Sequence, residues 1–251
     1  MPSVSKPHFT ANSPPDGTSA EQDRARPHWD GDLQRSRLRG FARLKAILWR
    51  RSLWLYQTYC LHGTEWYWPL LRALRAGPRQ GHLFSRARVK TAADTFGETP
   101  ILTTVRLLQT IESVYGPLPS PFVDLGCGRG VTCLTAASLG YASVGLEQEA
   151  DWTVAAQKVA DQLTLPAHFQ AADLRTAEWP EGGTFLAVAT AFPAEMREEI
   201  LGRWLVQPRD RSLFVTVDWE LPEQQFERLW DSRLPVDWGT AQFALWSLRN
   251  P

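Results

Sequence analysis

The sequence predicts an α/β domain built on a mostly parallel sheet and preceded by a basic helical extension, and three observations carry that reading. From Pro100 onward, short apolar runs alternate with longer amphipathic ones, the order expected when strands are joined through crossover helices. One short run, Phe122-Val123-Asp124-Leu125, leaves through a glycine-rich turn, Gly126-Cys127-Gly128-Arg129-Gly130, directly into a stretch of helical texture. The third is a division of charge hidden by a formal net charge of zero. Residues 1–90 hold 16 Lys+Arg against 6 Asp+Glu and residues 91–251 hold 11 against 21, so +10 precedes −10. Such opposed blocks mark different parts of a chain.

A length of 251 residues suits one large domain with an accessory segment. A composition that is 43% hydrophobic and 11% aromatic supports a packed core and excludes a chain disordered throughout. Cys60, Cys127 and Cys133 are too few and too scattered for a disulfide framework or a zinc site, which fits a reducing cytoplasm. The histidines show no metal-ligand spacing, so no metal is expected. The first 30 residues lack the apolar run of a signal peptide, and no stretch of 18 apolar residues predicts a spanning helix.

In chain order, residues 1–32 are Ser- and Pro-rich with few aliphatics and are expected to be a disordered tail. Residues 33–90 form the basic, Trp-rich extension. Leu38, Phe41, Leu44, Ile47, Leu48, Leu53 and Leu55 recur at helical spacing among arginines, Trp66, Tyr67, Leu70, Leu71 and Leu74 form a second cluster, and His62-Gly63 marks a bend between them. Residues 91–251 are the α/β domain. Thr99-Pro100 opens a helix to Tyr115, Pro121–Leu125 is the first strand and Val131–Leu139 a helix. Ala142–Leu146, Ala167–Ala171, Phe185–Thr190 and Leu213–Val217 are further strands, with helices over Ala150–Leu163 and Pro193–Leu205 between them. Pro222–Trp230 reads as a short helix. Leu234–Trp238 and Ala241–Leu248 around Gly239-Thr240 read as a closing hairpin.

The glycine turn allows a ligand to touch bare backbone, with the free N–H groups of the following helix facing the crevice beyond the strand ends. A dinucleotide fingerprint requires Gly or Ala where this chain has Val131. The glycines fall instead at Gly126, Gly128 and Gly130, with Asp124 two residues ahead of the first. A carboxylate there repels a pyrophosphate and favours a cationic ligand such as a sulfonium.

These residues resemble the first motif of the class I S-adenosylmethionine-dependent methyltransferases, which runs acid, any, glycine, any, glycine, any, glycine, matched from Asp124 to Gly130. The resemblance covers roughly residues 96–248. It implies a Rossmann-like fold with a mostly parallel seven-stranded sheet and C-terminal hairpin, and S-adenosylmethionine as cofactor. It also implies a cofactor site drawn from Asp124, Gly126, Cys127, Gly128 and Gly130. Glu147, followed by Gln148, becomes the ligand of the ribose hydroxyls at the end of the second strand, and Asp173-Leu174 the adenine contact after the third. Phe96-Gly97-Glu98-Thr99-Pro100 is similar to the helix entry of small Dot1-like protein lysine methyltransferases, where this segment folds over the methionine end of the cofactor. That narrower likeness adds Phe96 and Thr99 to the site and implies a protein lysine as acceptor. A small-molecule acceptor stays open beside it. Phe192 is a candidate substrate wall. Its segment, Thr190-Ala191-Phe192-Pro193, departs from amino-group methyltransferases in having no Asn or Asp, which keeps a non-catalytic binding module as the alternative.

The catalytic residue is unassigned, with Glu98 and Asp218 as candidate proton acceptors. Between Leu33 and Lys90 there are 13 Lys+Arg and a single acid, Glu65. Such an extension suits packing on the acidic domain of its own chain, the favoured reading. The others are an anionic membrane surface, contacted through residues 33–75 by a peripheral enzyme acting on a lipid or membrane protein, or, least favoured, nucleic acid.

Overall fold

The computed structural model describes residues 41–76 and 98–249. The expected tail, the segment 77–97 and with it Phe96 lie outside the described residues. The elements are helices α1 (Phe41–Leu61), α2 (Tyr67–Ala76) and α3 (Ile101–Tyr115), then β1 (Phe122–Leu125), α4 (Val131–Ser138), β2 (Ser143–Glu147), α5 (Ala150–Gln162) and β3 (Ala167–Ala171). Strand β4 (Gly183–Ala187), helix α6 (Ala194–Leu205), β5 (Ser212–Val217), β6 (Phe226–Val236) and β7 (Gly239–Leu248) complete the domain.

The sheet order is β3-β2-β1-β4-β5-β7-β6. Strands β1 to β5 are parallel, and β7 runs antiparallel between β5 and β6. The chain steps outward from β1 to β3 and then returns to place β4 on the other side of β1. That reversal opens a crevice at the carboxyl end of β1, the place where ligands bind in open α/β sheets. All four residues of β1 are buried, as a central strand covered on both faces requires. One face packs Leu107, Ile111, Leu134 and Phe243 beneath the helices α2 to α5. The other packs Phe185, Phe214 and Trp246 beneath α6, whose Trp204 lies 5.2 Å from the Phe226 ring in a stacked arrangement.

One sequence expectation is overturned. Pro222–Trp230 is not a helix, because Phe226–Trp230 already belong to β6 and pair with β7, Phe226 opposite Leu248. The register shifts between Arg228 and Trp230. A bulge of this kind breaks strict alternation, so Phe226, Leu229 and Trp230 fall at a spacing that imitates a helix. The fourth strand begins at Gly183 and ends at Ala187, since Ala189–Ala191 turn into a 3₁₀ helix.

The extension packs on its own chain over residues 41–76, and hydrogen bonds and apolar contacts attach it. Leu53, Leu61, Leu70 and Tyr67 are buried, and Trp49 Nε1 donates to the carbonyl of Val236 at 2.9 Å. Gln57 is the joint. Its side-chain oxygen accepts the backbone N–H of Leu102 at 3.1 Å, satisfying one of the donors that the first turn of α3 leaves without an intrahelical partner. Replacing Gln57 with Ala orphans that buried donor, a loss of about 1–3 kcal/mol. The expected outcome is a Tm several degrees lower in thermal unfolding by circular dichroism; an unchanged Tm would contradict the joint.

Candidate functional site

The turn after β1 is built around close approaches. Gly130 sits at φ 74°, and a Cβ there would lie 2.5 Å from the Phe169 ring and 2.9 Å from Cβ of Ala156. Only glycine meets both conditions. Cys127 folds inward, its Sγ resting against Gly145 of β2, where an added Cβ would be 2.7 Å away. Burial raises the Cys127 thiol well above its ordinary value, so its role is to fill space as a neutral group.

Asp124 and Glu147 stand at the ends of β1 and β2, both buried. Asp124 Oδ2 accepts the hydroxyl of Thr132 in the first turn of α4, where the positive end of the helix favours an anion. Its Oδ1 is buried with no hydrogen-bond partner. Burial raises the Asp124 pKa to about 7, against the Thr132 bond that lowers it, with the nearby Glu147 charge raising it further. Glu147 is fixed by two backbone donors, Gly128 N at 3.0 Å to Oε2 and Glu149 N at 3.1 Å to Oε1. Two accepted bonds leave lone pairs on both oxygens for further donors. Burial also raises this carboxyl, while the backbone groups of Glu149, Gly128 and Gln148 pull it down.

The remaining sequence-predicted residues take different positions. Asp173 is half-exposed and held by Arg175 in a fork, with Nε at 2.9 Å from Oδ1 and Nη2 at 2.5 Å from Oδ2. These hydrogen bonds lower its pKa. Leu174 beside it is buried, and Gln148 is exposed. The half-buried Phe192 ring lies on the glycine turn, 3.1 Å from where a Cβ on Gly126 would stand. Asp218 is exposed at φ 51° and accepts Gln242 N at 2.8 Å, which ties it to β7.

Thr99 and Glu98 lie elsewhere, in a cavity of about 770 Å³ between α1, α2, the start of α3 and the glycine turn. Arg129 of the turn links the two regions. Its Nη2 donates to the carbonyl of Leu74 in α2 at 2.8 Å and its Nη1 stands 3.7 Å from Glu98. Sequence reasoning missed Arg129, Gln57 and Asp237 as parts of this cavity, because each is brought in by packing and none lies in a recognisable pattern. Among the described residues no three or more His, Cys, Asp or Glu gather to hold a metal.

No family model matches the sequence, and no curated protein matches it. Solved structures do. TrmN from Thermus thermophilus superposes with a TM-score of 0.50 at 17% identity, over 63% of this chain and 52% of that one. Its likeness joins the observed strand order and the glycine turn at the crevice. The fold is the Rossmann-like class I methyltransferase fold. Magnesium protoporphyrin IX methyltransferase (ChlM) from Synechocystis PCC 6803, solved with bound SAM, is similar at a TM-score of 0.45 and 15% identity, over 68% of this chain and 92% of that one. At these identities the likeness concerns the class I fold alone.

The two buried acids dictate a pH dependence. A carboxyl whose folded pKa lies above its unfolded value is destabilising once ionised, so the stability associated with Asp124 falls as pH rises from about 4 to about 7. Asp124→Asn removes that penalty. At pH 8 the variant should melt several degrees above the native chain, with the gap closing towards pH 4; a gap independent of pH would refute the assignment.

Proposed function

We propose that this chain is an S-adenosylmethionine-dependent methyltransferase, with the cofactor held at the carboxyl ends of β1, β2 and β3. The observation that carries the reading is the pair of buried carboxyls around a bare-backbone turn. Glu147 keeps lone pairs for two ribose hydroxyls after its backbone bonds are made, and Asp124 retains a buried oxygen with no partner. Gly126, Gly128 and Gly130 let the ligand approach the backbone, with Cys127 packed behind them. Asp173 and Leu174 border the adenine end. Thr99 and Phe96 belong to the methionine end, as the narrower resemblance implies, and the Phe192 ring covers the glycine turn at Gly126. S-adenosylmethionine supplies the electrophilic methyl group; the protein aligns an acceptor lone pair with it and excludes water, an effect of up to about 7–11 kcal/mol.

The acceptor in this reading is either a protein lysine, as the narrower resemblance implies, or a smaller molecule. The test is isothermal calorimetry with S-adenosylmethionine and S-adenosylhomocysteine on the full chain. Glu147→Gln, which keeps size but loses charge, should weaken both by roughly 10- to 100-fold, as expected for one or two charge-assisted hydrogen bonds. Folded protein that gives no heat with either compound would end the proposal. The Ala189–Ala191 turn carries no amide or acid at the end of β4, which supports the alternative of a non-catalytic binding module. Binding without conversion to S-adenosylhomocysteine in the presence of cell extract would select it.

A second reading rests on α1. Its outward face leaves Leu48 54% and Leu55 60% exposed, with Tyr59 at 76%, and the helix contains no acid. No described helix is long and apolar enough to cross a membrane. A basic helix with exposed aliphatics lies on an anionic bilayer with its apolar residues inserted, so we propose peripheral membrane association through this face. Leu48→Glu combined with Leu55→Glu should abolish flotation with phosphatidylglycerol vesicles and leave cofactor affinity intact. Undiminished flotation would exclude this face.

A further inference from the structure

The cavity between the extension and the glycine turn is divided by chemistry. Its lining holds two half-buried acids from different elements, Glu98 ahead of α3 and Asp237 in the β6–β7 turn, together with the buried Thr99. Glu98 Oε1 and Thr99 Oγ1 are both buried with no hydrogen bond, Glu98 Oε1 standing 3.7 Å from Arg129 Nη1 in an ion pair. Buried oxygens that lack a hydrogen bond are costly, and a group with several N–H donors satisfies them; an ammonium has three. Leu53, Leu71 and Ile101 line the walls. The outer rim is cationic. Arg50 and Arg75 are exposed there, Arg75 lying 5.4 Å from the centre of the Trp54 ring and Arg50 Nε 3.3 Å from the carbonyl of Asp237. A ligand matching both ends carries its ammonium inward and an anionic group outward. The same cavity is bounded by Arg129 and Val131, so its wall is continuous with the turn assigned above to the cofactor.

We propose that this cavity is the acceptor pocket, that it takes a primary amine bearing a phosphate a few bonds away, of the phosphoethanolamine kind, and that Glu98 accepts the proton of the incoming ammonium. The proposal rests on the methyltransferase reading and names its substrate class. In the step, the carboxylate of Glu98 takes one proton from the ammonium and frees the nitrogen lone pair. The nitrogen then bonds to the methyl carbon as the carbon–sulfur bond breaks, its electron pair remaining on sulfur. The product leaves as a methylated ammonium, and Glu98 returns its proton to solvent.

The groups facing Glu98 suit this duty. Burial raises its pKa to about 7, with Arg129 of the turn and Arg50 of α1 lowering it and Asp237 of the hairpin raising it. Proton acceptance therefore switches on as pH rises through neutrality. Asp237, raised by its own burial and lowered by Arg50, contributes a second oxygen pair to the ammonium.

The experiment uses the full chain and methyl-labelled S-adenosylmethionine with three acceptors: phosphatidylcholine vesicles containing phosphatidylethanolamine, free phosphoethanolamine, and phosphatidylcholine vesicles alone. Label is expected in an amine of the first two and absent from the third. Transfer to the lipid identifies the membrane as the source, and transfer only to the free compound a soluble pool. Glu98→Gln should lower kcat by about 100-fold or more, the range of general acid–base catalysis, and flatten the rise of kcat/KM with pH, with cofactor affinity retained. Arg75→Gln, on the exposed rim, should raise KM about 10-fold with kcat little changed. Binding of phosphoethanolamine without cofactor, followed by calorimetry, reads the pocket independently and should weaken in the same Arg75 variant. Cofactor heat with no phosphoethanolamine binding, or label confined to protein lysines, overturns the pocket assignment alone. Absence of cofactor heat overturns the methyltransferase reading, and phosphoethanolamine binding then decides the pocket by itself.

Discussion

The structure turns on two carboxyl groups buried side by side at the ends of β1 and β2. Asp124 and Glu147 are buried acids, and each is tolerated because neighbouring groups supply donors. Thr132 serves one, and Gly128 N and Glu149 N serve the other. The turn in turn needs Phe169 and Ala156 close enough that a side chain on Gly130 would collide with them. Charge burial, a bare backbone and tight packing of β3 and α5 against the turn are therefore one constraint.

The extension is an integral part of this arrangement. Gln57 closes the first turn of α3, Arg129 reaches back to the last turn of α2, and Trp49 hydrogen-bonds the end of β6. These contacts make α1 and α2 the outer wall of the cavity beside the glycine turn. The opposite net charges of the two parts favour packing of one on the other. The observed attachment is mostly apolar and hydrogen-bonded, with Arg50 acting on Glu98 and Asp237 at the cavity. This is reasonable on energetic grounds, since exposed ion pairs contribute little while buried apolar area contributes in proportion to its extent.

A helix whose inner face carries Leu53, Gln57 and Leu61 and whose outer face carries Leu48 and Leu55 is apolar on both sides. Folding of the chain explains the inner set alone. The outer set, on a helix that carries no acid, is the face of the proposed membrane contact, and Leu53 and Gln57 of the inner set line the proposed acceptor pocket.

Most of the sheet was legible because local pattern and tertiary role coincide there. Buried parallel strands must read as short apolar runs, and the glycines of the turn are forced by backbone geometry whatever the ligand. The candidate site was legible to the same extent at Asp124, Gly126, Gly128, Gly130 and Glu147, which sit at strand ends that the sequence locates. Legibility failed at Phe226–Trp230, where the bulge hides alternation and pairing with β7 decides the strand. It failed again at Gln57, Arg129 and Asp237, separated by many residues and joined only when α1, the turn and the hairpin pack together. The sequence by itself determined the order of elements and the acids flanking the turn, because these follow from local periodicity and steric demand. Tertiary structure alone decided which distant side chains share the cavity and which carboxyls lose their water, since burial belongs to the assembled chain and to no segment of it.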